Sequence, residues 1–336
     1  MASAESDVTV AVTGPTGTFG FGLMPLLQAD DRIRRIVGIA RRPFDPAASG
    51  WSKMTYRQGD VRDQEALEAA FHGADVVIHL AFLVMGNATP ETIRQINIDG
   101  TRNAFRAAAA AGARRFVYAS SVAAYGFHPD NPIGMTEDWP VRPAAKLFYA
   151  QEKAELERLL QDEAAARPGI ALYLLRPPIV VGPHAVGAKN LLPQPLAAVG
   201  RRLVGLVGRV PLPVPVPVFP LQLIHEQDVG QAFLLCALGA GPPGAYNIAA
   251  DGVLSTVDVA RELGLIPLPV PGGLVRFAAR TVSALPSLPF TPPVAQWVEV
   301  ASRPAIMDVR KAERELGWKP RYTALEALRD TIRRGN

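Results

Sequence analysis

The sequence predicts an α/β fold, a doubly wound parallel sheet (residues 1–176) interleaved with a smaller C-terminal lobe (residues 177–336). Three observations predict it. Short β-branched runs alternate with helix-forming stretches as far as Arg176, a glycine-rich turn links the first run to the first helical stretch, and proline and glycine thicken after Pro177. Alternation of this kind builds parallel sheets with helices on both faces.

The first strand is read at Val8-Thr9-Val10-Ala11-Val12-Thr13, a β-branched apolar run of buried-strand type. Gly14-Pro15-Thr16-Gly17-Thr18-Phe19-Gly20 follows, then a helix from Phe21 to Gln28. In that order, Gly14 allows a tight turn and Gly17 lets backbone N–H groups approach a pyrophosphate. Gly20 lets the helix pack closely on the sheet. Thr16, Thr18 and Phe19 complete this candidate phosphate cradle. Further strands are expected near Ile36, Met54, Val76, Phe116 and Ile170, and helices near Leu23, Ala66, Arg102 and Leu156.

Arg115-Phe116-Val117-Tyr118-Ala119-Ser120-Ser121 reads as a strand ending in two hydroxyls. Open parallel sheets bind ligands at such ends, so Ser121 is the candidate to hydrogen-bond a reacting oxygen and Ser120 to cap the next turn. The segment from Ala144 to Ala166, rich in Ala, Leu, Glu and Gln, reads as a helix that puts Tyr149 and Lys153 on one face. A neighbouring ammonium favours phenolate, lowers a tyrosine pKa from its usual value of about 10, and makes Tyr149 a usable acid and base.

Beyond Pro177, the stretch from Val210 to Pro220 carries a proline at nearly every second position. Proline lacks the N–H of a central strand or helix, so an extended loop is expected. A second such region, Leu265 to Val298, holds a candidate amphipathic helix from Leu274 to Val282. Either region suits three roles: covering an apolar substrate, peripheral membrane contact, or plain packing of the lobe.

With 49% hydrophobic and 20% charged residues, the chain can bury a large core. Its formal net charge of +4 is interspersed with acids and no basic run exceeds two residues, so nucleic-acid binding is not indicated. Cys236, the single cysteine, lies in the apolar helical run Val229 to Leu238, reads as core packing and permits no intramolecular disulfide. Histidines 72, 79, 128, 184 and 225 lack ligand spacing, so no metal is expected. No apolar run reaches membrane-spanning length and the start, Met1 to Asp7, lacks a charged-then-apolar signal; a cytoplasmic location is the default expectation.

Further motifs run along nearly the whole chain: Gly59-Asp60-Val61-Arg62-Asp63, Val77-Ile78-His79-Leu80-Ala81, Asn97-Ile98-Asp99-Gly100-Thr101-Arg102-Asn103, Arg176-Pro177-Pro178-Ile179-Val180-Val181-Gly182-Pro183, Ile224-His225 with Asp228-Val229, Tyr246-Asn247-Ile248 and Glu315-Leu316-Gly317-Trp318-Lys319-Pro320. With the glycine turn, Ser120-Ser121, Tyr125-Gly126, Tyr149 and Lys153, the chain resembles the extended short-chain dehydrogenase/reductases, which include NAD-dependent epimerases and dehydratases on a Rossmann-type sheet. The resemblance implies that Leu80, Ala81 and Pro177 line a dinucleotide and that Asp60 and Val61 flank its adenine. It further implies that Asn97 braces the active-site helix, that Tyr149 also contacts the cofactor and Lys153 also holds the nicotinamide ribose, and that a homodimer forms through helices around Arg102 and Leu156.

Cofactor choice turns on the end of the second strand, Ile36-Val37-Gly38-Ile39-Ala40-Arg41-Arg42-Pro43. An acidic residue there suits the ribose 2′-hydroxyl of NAD, whereas Arg41 and Arg42 suit a 2′-phosphate, so NADP is expected and NAD is the alternative. Compared with sugar-nucleotide members of the resembled group, Ile179 stands where asparagine is common and Leu221 where arginine is common. Asn190-Leu191 and Arg303 fall near positions that contact nucleotide phosphates in those enzymes.

Three functions follow. One is an NADP(H)-dependent oxidoreductase acting on a secondary alcohol or ketone of a bulky apolar small molecule. The second is an NAD-dependent nucleotide-sugar epimerase; dehydration is less favoured because Val122 and Ala123 occupy the place of an extra acid. The third is a dinucleotide-sensing protein without turnover.

Overall fold

The computed structural model describes residues 7–84, 88–145, 147–185, 213–271 and 305–334. Six strands follow one another through the first half: β1 (Val8–Thr13), β2 (Ile33–Ala40), β3 (Met54–Gln58), β4 (Val76–His79), β5 (Arg115–Ala119) and β6 (Ala171–Arg176). Helices α1 (Thr18–Ala29), α2 (Gln64–Phe71), α3 (Pro90–Arg94), α4 (Gly100–Ala110) and α5 (Phe148–Ala165) connect them. Every residue of β1 and β4 is buried, as expected of central parallel strands covered on both faces. α5 starts at Phe148 rather than near Ala144, since Leu147 is extended.

The second half supplies β7 (Ile179–Val181), β8 (Pro213–Val218), β9 (Pro220–Leu221), β10 (Leu223–His225), β11 (Gly244–Asn247), β12 (Leu254–Ser255) and β13 (Ile266–Pro271). Its helices are α6 (Glu226–Ala237), α7 (Thr256–Glu262), α8 (Arg310–Leu316) and α9 (Ala324–Arg334). β11 returns to the main sheet beside β6, giving seven parallel strands in the order β11-β6-β5-β4-β1-β2-β3. Strand order reverses between β1 and β4, which opens a crevice at their carboxyl ends.

One core fills the face under α1 and α6, with Val10, Val12, Leu23, Leu27, Phe233 and Trp318; another fills the face under α2, α4 and α5, with Ala11, Phe71, Val77, Phe105 and Leu156. α1 and α6 cross through Gly22 and Gly230. A Cβ at Gly22 would fall 2.0 Å from the Glu226 carbonyl oxygen, and one at Gly230 would fall 2.3 Å from that of Gly22, so larger residues would force the helices apart. Among the described residues, no helix is long and apolar enough to cross a membrane.

The described part of the proline-rich stretch, from Pro213 on, forms strand rather than the expected loop. β8 pairs in parallel with β13, and the register sets Val214, Val216 and Val218 opposite Pro267, Pro269 and Pro271, and Pro215 and Pro217 opposite Leu268 and Val270. In a parallel pair only alternate residues of each strand hydrogen-bond to the partner. The two-residue proline period puts each ring at a position whose N–H is not needed, and the pair stays peripheral, outside the main sheet.

Candidate active site

Thr13 and His79 end β1 and β4 side by side at the crevice. Gly14 follows with φ at +67°, and its N–H donates to the Ile39 carbonyl at 2.9 Å. A Cβ there would lie 3.1 Å from the backbone N and Cα of Ala81, so the two loops meet where only glycine fits. Gly20 packs on Pro15, whose carbonyl oxygen a Cβ would approach to 1.9 Å; it tightens the turn on itself rather than the helix on the sheet. Gly17 precedes α1, whose first turn holds no acid. The N–H groups of the first turn of α1 and the positive helix end fit a pyrophosphate. Thr16 is half-buried, Thr18 Oγ1 donates to the His184 carbonyl at 3.3 Å, and the Phe19 ring turns inward on Phe233 at 6.0 Å.

Behind this turn runs a directed chain of hydrogen bonds. Thr13 Oγ1 accepts the N–H groups of Leu80 and Ala81, both at 3.2 Å, and lies 2.8 Å from His79 Nδ1. With both lone pairs used, Thr13 donates its proton to Nδ1, which leaves the ring proton on Nε2. Nε2 donates to Thr101 Oγ1 at 3.0 Å, and Thr101 donates to the Asn97 carbonyl at 2.6 Å. Burial, helped by the Lys153 charge, pushes the imidazole down to about 3, so His79 is neutral at working pH.

Asn97 sits in a π-helical turn, Gln95–Asp99. Its Oδ1 accepts the Leu83 N–H at 2.8 Å, and its Nδ2 donates to the Leu83 carbonyl at 3.0 Å and to Glu152 Oε2 at 2.7 Å. The loop after β4 is thereby tied to α5. Burial raises the Glu152 carboxyl, and the Asn97 bond partly offsets it.

α5 carries Tyr149, Lys153 and Glu157 at helical spacing along one side. Ser121 faces the Tyr149 hydroxyl and draws its pKa down against burial, while its Oγ accepts the Ala123 N–H at 3.2 Å. Ser121 is therefore the cap of the short turn Val122–Tyr125, and Ser120, expected to cap it, donates instead to Glu157 at 2.5 Å.

Lys153 departs from expectation. Its Nζ donates to the Ala119 carbonyl at 2.7 Å and the Tyr118 hydroxyl at 3.1 Å, and it stands 3.7 Å from the Phe82 ring centroid and 5.9 Å from that of Tyr149. Burial lowers the ammonium to about 7 against the pull of Glu157 and Glu152, and burial raises the Tyr149 phenol against its Ser121 bond. The expected lowering of Tyr149 by Lys153 is absent here, because the ammonium is turned to β5 and Phe82 packs edge-on against Tyr149 at 5.6 Å.

A stability test follows from this burial. Between the folded value of about 7 and the ordinary 10.5, the unfolded chain binds the proton that the folded chain has lost, so stability from this group rises with pH across that window. At pH 7 Lys153→Met is expected to be about 1–2 kcal/mol more stable than wild type, after loss of two hydrogen bonds. Denaturant titration should show the advantage fading toward pH 10. An advantage independent of pH contradicts a buried ammonium.

A buried network braces the other side of the site. Arg176 Nε and Nη2 donate to the two Glu157 oxygens at 2.9 and 2.5 Å, and Nη1 donates to the Tyr125 hydroxyl at 2.6 Å. Tyr125 donates onward to Asn247 Oδ1 at 2.8 Å, and the Asn247 N–H donates to Glu137 Oε1 at 2.8 Å. β5, α5, β6 and β11 are locked together around Ser121.

Val84 in the β4 loop, Phe148 next to Tyr149 in the chain and Ile179 at the start of β7 are exposed. Pro177 is buried, its carbonyl accepting the Val122 N–H at 3.0 Å. At the far end of the crevice Arg41 and Arg42 are exposed after β2, and no acid ends that strand. Arg62 holds the Asp60 carboxyl below its usual range through a two-point contact, with a smaller contribution from Arg41. Val61 is buried against Gly100.

Asn190, Leu191, Arg303 and the candidate helix from Leu274 to Val282 lie outside the described residues. Sequence reading does not single out Phe82, Tyr118, Glu152 or Glu157. Glu157 had a signal, the next i+4 step after Tyr149 and Lys153; Phe82 had only its place after Ala81.

Known proteins resemble this chain in sequence and in fold. An uncharacterized protein of Mycobacterium tuberculosis is 28% identical over 330 residues, which is 96% of this chain and 83% of the relative. The 3 beta-hydroxysteroid dehydrogenase type 7 of Rattus norvegicus is 34% identical over 177 residues, covering 47% of this chain and 49% of its own. The structure of MoeE5 in complex with UDP-glucuronic acid and NAD superimposes with a TM-score of 0.69 at 24% identity, covering 97% of this chain and 98% of that one, a likeness of fold. The pattern of the NAD dependent epimerase/dehydratase family matches residues 10–249, from β1 through the glycine turn and the Ser121, Tyr149 and Lys153 site to β11 and Ala249. With most of the chain so matched and the sheet in the same order, the protein belongs to the NAD dependent epimerase/dehydratase family.

Proposed function

We propose that the protein is an NADP(H)-dependent oxidoreductase acting on a secondary alcohol or ketone of a bulky, apolar small molecule. The observation that carries this reading is the Ser121 and Tyr149 hydroxyl pair at the carboxyl end of β5, with the Phe82 ring edge-on against Tyr149. A bound dinucleotide supplies or takes the hydride. Tyr149 exchanges the hydroxyl proton of the substrate, and Ser121 holds the reacting oxygen. Lys153, once turned toward Tyr149, favours phenolate. Residues Gly14 to Gly20, Leu80 and Ala81 hold the pyrophosphate half, and Asp60 and Val61 the adenine.

The absence of an acid after Ala40, with Arg41 and Arg42 in its place, supports NADP. The steroid dehydrogenase relative supports an apolar substrate. A nucleotide-sugar epimerase that recycles NAD in place is the second reading, supported by the family and by the fold shared with MoeE5 in complex with UDP-glucuronic acid and NAD. Ile179 and Leu221 count against it, since neither offers a polar contact to sugar or phosphate. We place a homodimer contact on α4 and α5.

The test is to denature the purified protein, identify any released dinucleotide, and titrate emptied protein with NADPH and NADH. Empty protein preferring NADPH, with NADPH oxidised by apolar ketones, is expected. Stoichiometric, tightly held NAD overturns this reading in favour of the epimerase. Arg41→Glu is expected to weaken NADPH binding by about 10-fold or more, through loss of one charge-assisted contact and gain of a repulsion. Unchanged NADPH affinity sinks the cofactor assignment.

A further inference from the structure

We propose that Phe82 is a gate on the reactive half of the dinucleotide seat, holding Lys153 turned away from Tyr149 until the cofactor displaces the ring. The proposal rests on the dinucleotide-binding reading above. Lys153 Nζ is enclosed on three sides, by the Ala119 carbonyl at 2.7 Å, the Tyr118 hydroxyl at 3.1 Å and the Phe82 ring face at 3.7 Å. An ammonium has three donors, so none is left for an incoming hydroxyl.

The three partners differ in how readily they yield. Ala119 is backbone within β5, and Tyr118 is buried to 1% exposure in the core. Phe82 lies in the irregular loop after β4, half-buried, with its ring over the site. A dinucleotide whose pyrophosphate rests on Gly14 and Ala81 must extend its reactive half from Ala81 toward Tyr149. Phe82 is the next residue along that line and touches both members of the pair, Lys153 face-on and Tyr149 edge-on at 5.6 Å. Asn97 clamps both polar backbone groups of Leu83, so the loop is anchored one residue further on and any opening falls to the Phe82 side chain, which is half-buried against the core. Its displacement gives up the cation–π contact with Lys153, the edge-on contact with Tyr149 and part of its packing on the core, and frees one Lys153 donor.

The experiment measures NADPH and NADH association by stopped-flow fluorescence and affinity by equilibrium titration, for wild type, Phe82→Ala and Phe82→Leu. Matched thermal unfolding shows that each variant is folded. Phe82→Ala is expected to associate faster and bind about 3- to 30-fold tighter, the range to which a cation–π contact of exposed to desolvated strength converts. Phe82→Leu, with bulk but no π face, should fall between. Equal or weaker binding by both folded variants overturns the gate and leaves the dinucleotide reading standing. Failure of wild type and both variants to bind either dinucleotide overturns both.

Discussion

Tyr149→Phe is expected to lower kcat by about 10²- to 10⁴-fold, the contribution of a positioned acid and base, and to leave dinucleotide affinity nearly unchanged. Among the described residues nothing else in the crevice can take its place. Ser121 has no ionisable proton near neutral pH, His79 is buried as a neutral ring behind the turn, and Lys153 is turned to Ala119 and Tyr118. The stability cost should be small, on the order of one neutral hydrogen bond, because Ser121 keeps the Ala123 N–H. The measurement is a steady-state assay beside a dinucleotide titration of the same preparation. If Tyr149→Phe retains its biological activity while a variant disrupted at Gly17 loses it, the protein senses the dinucleotide rather than using it.

Glu157→Ala is expected to cost about 3–5 kcal/mol of stability, because it leaves the Arg176 guanidinium buried without its anion. Both side chains are nearly inaccessible, at 3% and 2% exposure, and the carboxylate also takes the Ser120 hydroxyl. The double variant Glu157→Leu with Arg176→Met should recover most of the loss, since it buries no charge. Denaturant unfolding of the three proteins checks both statements. A loss below about 1 kcal/mol would mean that the pair is solvated, as surface pairs are. Glu157 also lies one helical turn from Lys153, so the assay should show lower kcat in the single variant even where it remains folded.

Much of the fold was legible because its signals are local. The run Val8–Thr13, the glycine turn and the following helix declare themselves within a short stretch, and the alternation repeats through Arg176. The proline-rich stretch misled for a physical reason: whether proline breaks a strand depends on which N–H groups the partner needs, and the partner, β13, lies some fifty residues away. Ser120 misled in the same way, since its acceptor Glu157 is 37 positions distant. The α3 helix and the π turn holding Asn97 gave no periodicity long enough to read.

The sequence by itself determined the parallel sheet, the glycine turn between β1 and α1, the shared helix face of Tyr149 and Lys153, and the arginines after β2, because each follows from residue type and spacing along one element. Tertiary structure alone decided where the protons and charges lie. The His79 tautomer, the descent of Lys153 to about 7, the raised Tyr149 phenol and the interposed Phe82 ring all depend on groups from β1, β4, β5 and α5 converging where water is excluded. Spacing along a chain fixes which groups share a face, but desolvation and long-range partners set their ionisation, and those exist only once the strands and helices are packed.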